Sequence, residues 1–156
     1  MPETKDGRQE ELLQREEVSE AWKEYQRDIE VQARYFNDAE AYELQRPEVD
    51  GRVKPNPNDL SSLFLERAFH IAGDTSYVAQ VLPGVVFSGA SCKDLRGYLL
   101  DNTQLSVLAT FENHGIFRQI DSRYKFGIVV FENSGSTEKV AGMTQRGNVG
   151  ILEKFT

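Results

Sequence analysis

Several polar and aromatic residues cluster in one short stretch of the chain, between two apolar runs. The runs cover residues 105–111 and 126–131, and the stretch between them carries Asn113, His114, Phe117, Arg118, Arg123 and Lys125. An aromatic ring can stack on another flat ring, and neighbouring cations can pair with phosphate. The segment therefore predicts a loop between two strands that suits a flat ring attached to a phosphate chain.

Other catalytic patterns are absent from the sequence. It contains no GxxxxGK[ST], GxGxxG or GxSxG motif, and its one cysteine and two histidines do not make a zinc site. We expect His70 to lie on a helix face and Cys92 to be an ordinary small residue near a helix start. The residues themselves thus indicate neither a catalytic group nor a metal site.

Length and hydropathy fit one ordinary domain. The 156 residues suffice for a core, and the longest apolar run is far shorter than the roughly 20 residues of a membrane helix. The N-terminus is charged and lacks the apolar segment of a secretory signal. With a single cysteine, the composition favours a cytoplasmic protein with no membrane association.

Acidic residues are concentrated in the N-terminal third. The net charge is −7, but residues 1–50 carry 7 Lys/Arg and 15 Asp/Glu, whereas residues 51–156 carry 11 and 10. Nucleic-acid binding needs local cations on one face rather than a basic total. The charge balance therefore does not exclude DNA, although no patch alone predicts tight binding.

Residues 8–43 have the pattern of a long helix or of two helices in succession. An apolar stripe recurs at helical spacing, opposite a charged face, and consists of Val18, Trp22, Tyr25, Ile29, Ala33 and Phe36. We expect this stripe to cover the chain's own core. The alternative is that it docks on a partner.

The remaining pattern predicts an α/β fold. Residues 46–58 read as a loop, and Asn56-Pro57 as the start of a helix over 59–72 whose inward side is Leu60, Leu63, Phe64, Ala68 and Ile71. A strand at 77–82, a helix beginning near residue 91 and strands at 105–111 and 125–131 follow. The strand–helix–strand unit predicts a right-handed parallel crossover, and the last two strands can pair antiparallel.

Four segments follow from these patterns. They are an acidic helical segment (1–45), a linker loop (46–58), an α/β core (59–137) and a C-terminal extension (138–156) of one or two short strands or a partly ordered tail.

Residues 58–132 resemble the C-terminal half of the methyltransferase domain of adenine-N6 DNA methyltransferases, especially restriction–modification enzymes that fuse methylase and specificity functions. Four pieces in the right order carry the resemblance. They are the DLSSLFLERA helix (59–68), VLPGVVF (81–87), DLRGYLL (94–100), and FEN (111–113) with Phe117 and DSRYKF (121–126). The resemblance implies a partial Rossmann-like sheet of about three core strands, the last two antiparallel, with a long N-terminal helical segment.

The resemblance also implies roles. Such enzymes use S-adenosylmethionine and flip the target adenine out of the DNA duplex. Phe117 corresponds to an aromatic that holds the flipped base, and Asn113, Arg118, Arg123 and Lys125 are the other candidate base- or DNA-binding residues. The alternatives are that Phe117 plugs the core beneath its loop, that Lys125 is a solvated strand-end charge, and that Asp121 pairs with Arg123 structurally.

Parts of the family pattern are not matched. The glycine-rich cofactor turn and the catalytic Asn/Asp-Pro-Pro-aromatic motif are absent, and Asn56-Pro57 is no substitute for the latter. The strand that pairs with 77–82 in the family fold is missing here, which leaves an unpaired strand edge that is prone to association.

We therefore expect a fragment or subunit that is inactive and binds no cofactor alone. A separate chain carrying the other half, self-association, the N-terminal helix or the C-terminal tail would cover that edge. The alternatives are a non-enzymatic α/β interaction module and a decayed methylase remnant.

Overall fold

The computed structural model describes residues 5–56 and 59–146. Helices α1 (Lys5–Leu13) and α2 (Glu16–Asp38) lead into a 3₁₀ segment, Glu40–Gln45. A small hairpin of β1 (Glu48–Val49) and β2 (Arg52–Val53) follows. The rest comprises α3 (Leu60–Ile71), β3 (Tyr77–Pro83), α4 (Val85–Ser88), a 3₁₀ turn (Ala90–Cys92), α5 (Lys93–Asp101), β4 (Gln104–Glu112), β5 (Lys125–Glu132) and β6 (Ala141–Arg146). None of the described helices has the length and hydrophobicity needed to cross a membrane.

The N-terminal segment forms two helices in succession, which is one of the two predicted arrangements. The expectation that its apolar stripe covers the chain's own core is wrong, because no residue of α2 is buried. Trp22 and Tyr25 stack on each other with ring centroids 5.6 Å apart, yet they remain 38% and 56% exposed. Helical periodicity indicated an apolar face correctly but could not indicate what lies against it.

A hairpin lies inside the segment that was predicted to be a loop. Val49 pairs with Arg52, and the two residues between them, Asp50 and Gly51, both have positive φ (55° and 72°). Such a turn matches the twist of antiparallel strands, and Asp-Gly is a favoured sequence for it. The signal was therefore present in the sequence, but flanking prolines obscured it.

Helix α3 begins at a later residue than its sequence predicted, and it buries a different face. Its N-cap is Asp59, whose carboxylate accepts from the N–H groups of Ser61 and Ser62, rather than Asn56-Pro57 (Pro57 lies outside the described residues). The helix buries Ser62, Leu63, Leu65, Glu66, Ala68 and Phe69. Three residues of the predicted inward side are about two-thirds exposed: Leu60, Phe64 and Ile71.

The main sheet has the strand order β3-β5-β4-β6. Strand β5 pairs antiparallel with β3 on one side and with β4 on the other, and β6 adds to β4 in parallel. Strands β3 and β4 therefore run in the same direction, as predicted, but β5 lies between them. The antiparallel pairing of β4 and β5 is as predicted, and β6 supplies one short strand of the C-terminal extension, whose residues 147–156 are outside the described part.

The helices cover one face of this sheet. Leu65 and Phe69 of α3 and Leu95 and Leu99 of α5 pack with Val129 and other residues of the strands in the larger core cluster. A smaller cluster on the opposite face contains Ala109, Phe111 and Phe126, with Val107, Ile116 and Ile128 packed beside it. Alternation along β5 divides its residues between the two clusters.

One edge of the sheet, along β3, is unpaired in the described chain. Gly84 donates its N–H to Lys125 O (2.7 Å), and Ser76 O accepts from Asn133 N–H (2.9 Å). The backbone polar groups of the even-numbered residues of β3 therefore point toward β5. The backbone groups of Tyr77, Ala79 and Val81 then point outward. Neither α2, which buries no residue, nor β6, which pairs at the other side, covers this edge as anticipated.

A buried glutamate explains the rotation of α3. Glu66 is fully buried, and its carboxylate accepts from Leu44 N–H (2.7 Å) and Gln45 Nε2 (2.6 Å). Facing Glu66 outward would remove these bonds and leave buried donors unpaired. Burial raises the pKa of Glu66 above its ordinary value of 4.5, although both hydrogen bonds oppose that shift.

The raised pKa predicts a pH dependence of stability. Because folded Glu66 holds its proton more tightly than unfolded Glu66, its contribution is most favourable at low pH and falls as pH rises from about 4.5 through the raised pKa. Glu66→Gln should remove that slope. Urea-unfolding midpoints measured from mild acid to neutral pH should fall more in the wild type than in this variant.

The exposed Glu40 in the same 3₁₀ segment provides the control, since it is not among the groups that shift the pKa of Glu66, and Glu40→Gln should keep the wild-type slope. A constant difference between wild type and Glu66→Gln across the pH range would contradict the assignment.

Candidate nucleotide-base site

The predicted loop, residues 113–124, is held at both ends by the β4–β5 ladder. Glu112 and Lys125 are partners in the antiparallel register, and the next residue on β4, Asn113, donates its N–H to Tyr124 O (2.9 Å). Gly115 has φ 80°, a conformation that costs a residue with a side chain far more. The loop is thus a closed excursion from two paired strands.

The side chain of Asn113 organises the loop from inside. Its Oδ1 accepts from Phe117 N–H (2.7 Å), and its Nδ2 donates to Phe117 O (2.9 Å), Ile120 O (2.8 Å) and, more weakly, Asp121 O (3.3 Å). Asn113 is only 1% exposed. This predicted site residue therefore lies beneath the loop, with its polar atoms satisfied by backbone.

Phe117 lies over an aromatic stack. Its ring meets Phe126 edge-to-face, with centroids 5.0 Å apart at 78°, and Phe126 stacks on Phe111 at 5.4 Å. Phe126 and Phe111 are buried, whereas Phe117 is 39% exposed. Phe117 is thus neither a buried core plug nor a free side chain: it rests on the core and keeps part of its ring accessible.

Most of the predicted cations have carboxylate partners. Asp121 accepts from Arg123 Nε (3.0 Å) and Nη2 (2.8 Å), which is the structural pair considered from the sequence. This guanidinium holds the pKa of Asp121 below its ordinary value. Both groups are substantially solvent-exposed, so the pair orients the loop more than it stabilises the fold.

A second carboxylate serves two further groups. Glu112 lies 3.0 Å from His114 Nε2 and 3.9 Å from Lys125 Nζ. Arg118 is exposed and has no carboxylate within 4 Å among the described residues. The structure therefore places most of the predicted residues in the loop and Lys125 at the start of β5, and it leaves Arg118 as the cation most readily available to an anion.

Sequence reasoning missed the support beneath Phe117. Phe111 and Phe126 are cross-strand partners, and the antiparallel pairing predicted for their strands contained that signal. Cys92, in contrast, is buried beside Asn56 and Ser62, and His70 is an exposed helix residue. No group of three or more potential metal ligands occurs among the residues that the structure describes.

The aromatic arrangement predicts an ordered series of stabilities. Phe126→Ala should lower the free energy of unfolding by about 3–5 kcal/mol, because it empties a buried site. Phe117→Ala should cost only about 1–2 kcal/mol, since its ring is already partly in water. Denaturant unfolding of both variants measures the difference.

Phe64, which is 65% exposed on α3, is the matched control, and Phe64→Ala should cost less than about 1 kcal/mol. A loss for Phe117→Ala as large as that for Phe126→Ala would identify Phe117 as a core plug.

Comparison with known proteins identifies a family that matches the chain from the end of α2 to the loop after β4. A family model described as Eco57I restriction-modification methylase matches residues 35–117, which is more than half of the chain. The match runs from the end of α2 through α3, β3, α5 and β4 and ends at Phe117. Comparison with curated protein sequences gives no significant match.

The match confirms the resemblance seen in the sequence, and the mixed α/β architecture with a partial sheet confirms the predicted fold class. The chain belongs to the Eco57I restriction-modification methylase family.

Proposed function

We propose that this chain contributes the target-base half of an adenine-specific DNA methyltransferase of a restriction–modification system, acting in the cytoplasm. Family membership supports a methylase-related function with DNA as substrate. The observation that carries the finer proposal is the partly exposed ring of Phe117. This ring rests on the buried ring of Phe126, and its loop is held by hydrogen bonds from the Asn113 side chain.

The chemistry of adenine methylation needs such a surface. The adenine amino group is inaccessible inside the base stack, so the nucleotide must leave the duplex and be held elsewhere. Stacking of one base on an aromatic side chain contributes about 1–3 kcal/mol, which offsets part of the unstacking cost. Phe117 offers one ring for this purpose. Arg118, the next residue in the chain, would pair with a phosphate that flanks the flipped base.

We further propose that the chain acts as a fragment or subunit. The sequence contains no Asn/Asp-Pro-Pro-aromatic motif, so the second wall of the base pocket must come from other residues. The outward backbone groups of Tyr77, Ala79 and Val81 can accept another strand. A partner carrying the cofactor-binding half fits this edge, and self-association through it is the alternative.

Exposed apolar side chains also lie on α3 and β3, the elements beside this edge. Leu60, Phe64 and Ile71 are exposed on α3, and Gln80 of β3 donates to Phe64 O (3.5 Å), which places this helix beside the strand. Tyr77 and Val81 are 70% and 56% exposed on the face that the described helices leave uncovered. Large apolar side chains left exposed beside an unpaired strand edge are common at protein interfaces.

The residues present do not fit S-adenosylmethionine, which the family implies for the complete enzyme. Among the described residues, the glycines with positive φ are Gly51, Gly115 and Gly135, and they lie in a hairpin, the β4–β5 loop and the turn after β5. None of these three joins a strand to a helix, where a glycine-rich turn would place backbone N–H groups against a cofactor. We therefore assign cofactor binding to the remaining half of the enzyme.

A second candidate function is a non-enzymatic interaction module. The exposed stripe of α2, which includes Trp22, Tyr25 and Ile29, supports it, since exposed aromatic stripes are common at protein interfaces. The two functions differ in what Phe117 does.

Phe117→Ala should weaken base flipping in an enzyme reconstituted with a polypeptide that carries the cofactor-binding half. Loss of the stacking surface should reduce the flipped population about tenfold. Fluorescence of 2-aminopurine at the target position reports flipping, and Tyr35→Ala, which removes a 60% exposed ring on α2, is the control for ring removal elsewhere. Wild-type flipping in the Phe117→Ala enzyme would reject the proposed site.

The isolated chain should show no S-adenosylmethionine binding above background in titration calorimetry. The reason is the lack of a glycine-rich strand-to-helix turn among the described residues. Binding with a micromolar dissociation constant would contradict the subunit proposal and return cofactor binding to this chain.

A further inference from the structure

We infer that Asn113 is a positioning residue for Phe117 rather than a direct contact to DNA. This inference rests on the proposed function of Phe117, but its structural part stands without DNA. The polar atoms of the Asn113 side chain are occupied by loop backbone, and the residue is 1% exposed. A DNA contact by this side chain would require the loop to open first.

The pattern of bonds shows what Asn113 controls. Oδ1 accepts from the N–H of Phe117 and Nδ2 donates to its C=O, so both backbone polar groups of Phe117 are held by one side chain. The same Nδ2 also holds Ile120 O and Asp121 O. The peptide groups on each side of Phe117 are thereby fixed, which directs its ring onto Phe126.

The chemistry of this role restricts the residue type. The side chain must accept one hydrogen bond and donate several within one short planar group, which an amide does. A carboxylate of the same size keeps the acceptor but loses every donor, and it places negative charge against three carbonyl oxygens. Asn113→Asp is therefore a nearly isosteric change that should release Phe117 while leaving the strands paired.

The chain contains a matched control at the other end of β5. Asn133 Nδ2 donates to Phe69 O (3.2 Å) and Ala72 O (2.8 Å), so it ties the end of α3 by the same chemistry. None of its hydrogen-bond partners lies in the loop 113–124. Asn133→Asp should perturb the fold without a direct effect on Phe117.

The structural test uses the full chain in solution. Ring-proton resonances of Phe117, assigned by their loss in Phe117→Leu, report its contact with Phe126. In Asn113→Asp they should move toward the values of an unstructured phenylalanine, whereas Asn133→Asp should leave them unchanged. Unchanged resonances in Asn113→Asp, or equal changes in both variants, would overturn the inference.

A second variant covers the case in which Asn113→Asp does not fold. In Asn113→Ala, hydrogen exchange of the Phe117 amide should accelerate at least about tenfold, because its acceptor is lost. The amides of Val129 and Phe131 in β5 should keep their wild-type rates. Acceleration throughout β5, or none at Phe117, would show that Asn113 has no specific hold on this residue.

A functional readout separates this inference from the proposed function. In the reconstituted methyltransferase, Asn113→Asp should reduce 2-aminopurine flipping as strongly as Phe117→Ala, with the dissociation constant for DNA changed less than about threefold. Wild-type flipping in Asn113→Asp would refute the positioning role. Absence of flipping in the wild-type enzyme would count against the proposed function, and the resonances of Phe117 would still decide the role of Asn113.

Discussion

Strand β5 determines the geometry of both the core and the candidate site. It pairs antiparallel with β3 and β4, and its register sets Phe126 opposite Phe111 and Lys125 opposite Glu112. A shift by one residue would exchange the side chains that face the helices with those on the opposite face. The same shift would remove Phe126 from beneath Phe117. The position of the loop ring thus depends on backbone pairing along the whole strand.

The parts of the fold that the sequence predicted well are those with a local physical signal. Strands β3, β4 and β5 have apolar runs bounded by breakers, and the segment between β4 and β5 had the composition of a loop. The Asp121–Arg123 pair could also be anticipated from the sequence, because these two residues are only two positions apart. These features require only short-range periodicity and charge complementarity.

The parts predicted wrongly depend on tertiary contacts. The face of α3 is decided by Glu66, whose buried carboxylate is satisfied by Leu44 and Gln45, far away in sequence. Hydrophobicity alone ranks Phe64 above Glu66 for burial, so the pattern pointed to the wrong side. The hydrogen bonds of Asn113 with the loop backbone are a further tertiary feature that the sequence did not indicate; its candidate role at a base stays a prediction.

If the proposed function holds, the electrostatics of the loop suit holding a base more than attracting DNA. Arg123 would have to exchange Asp121 for a phosphate, and the carboxylate, with its lowered pKa, stays charged at neutral pH. Lys125 lies near Glu112, which also meets His114. Each phosphate neutralised by a cation contributes to affinity and to its salt dependence. A loop whose cations mostly face its own carboxylates adds little of either, so the proposed enzyme would take its phosphate affinity mainly from other surfaces. What the loop supplies is a partly exposed aromatic ring at a fixed position, and base discrimination by stacking and shape requires that rigidity more than charge.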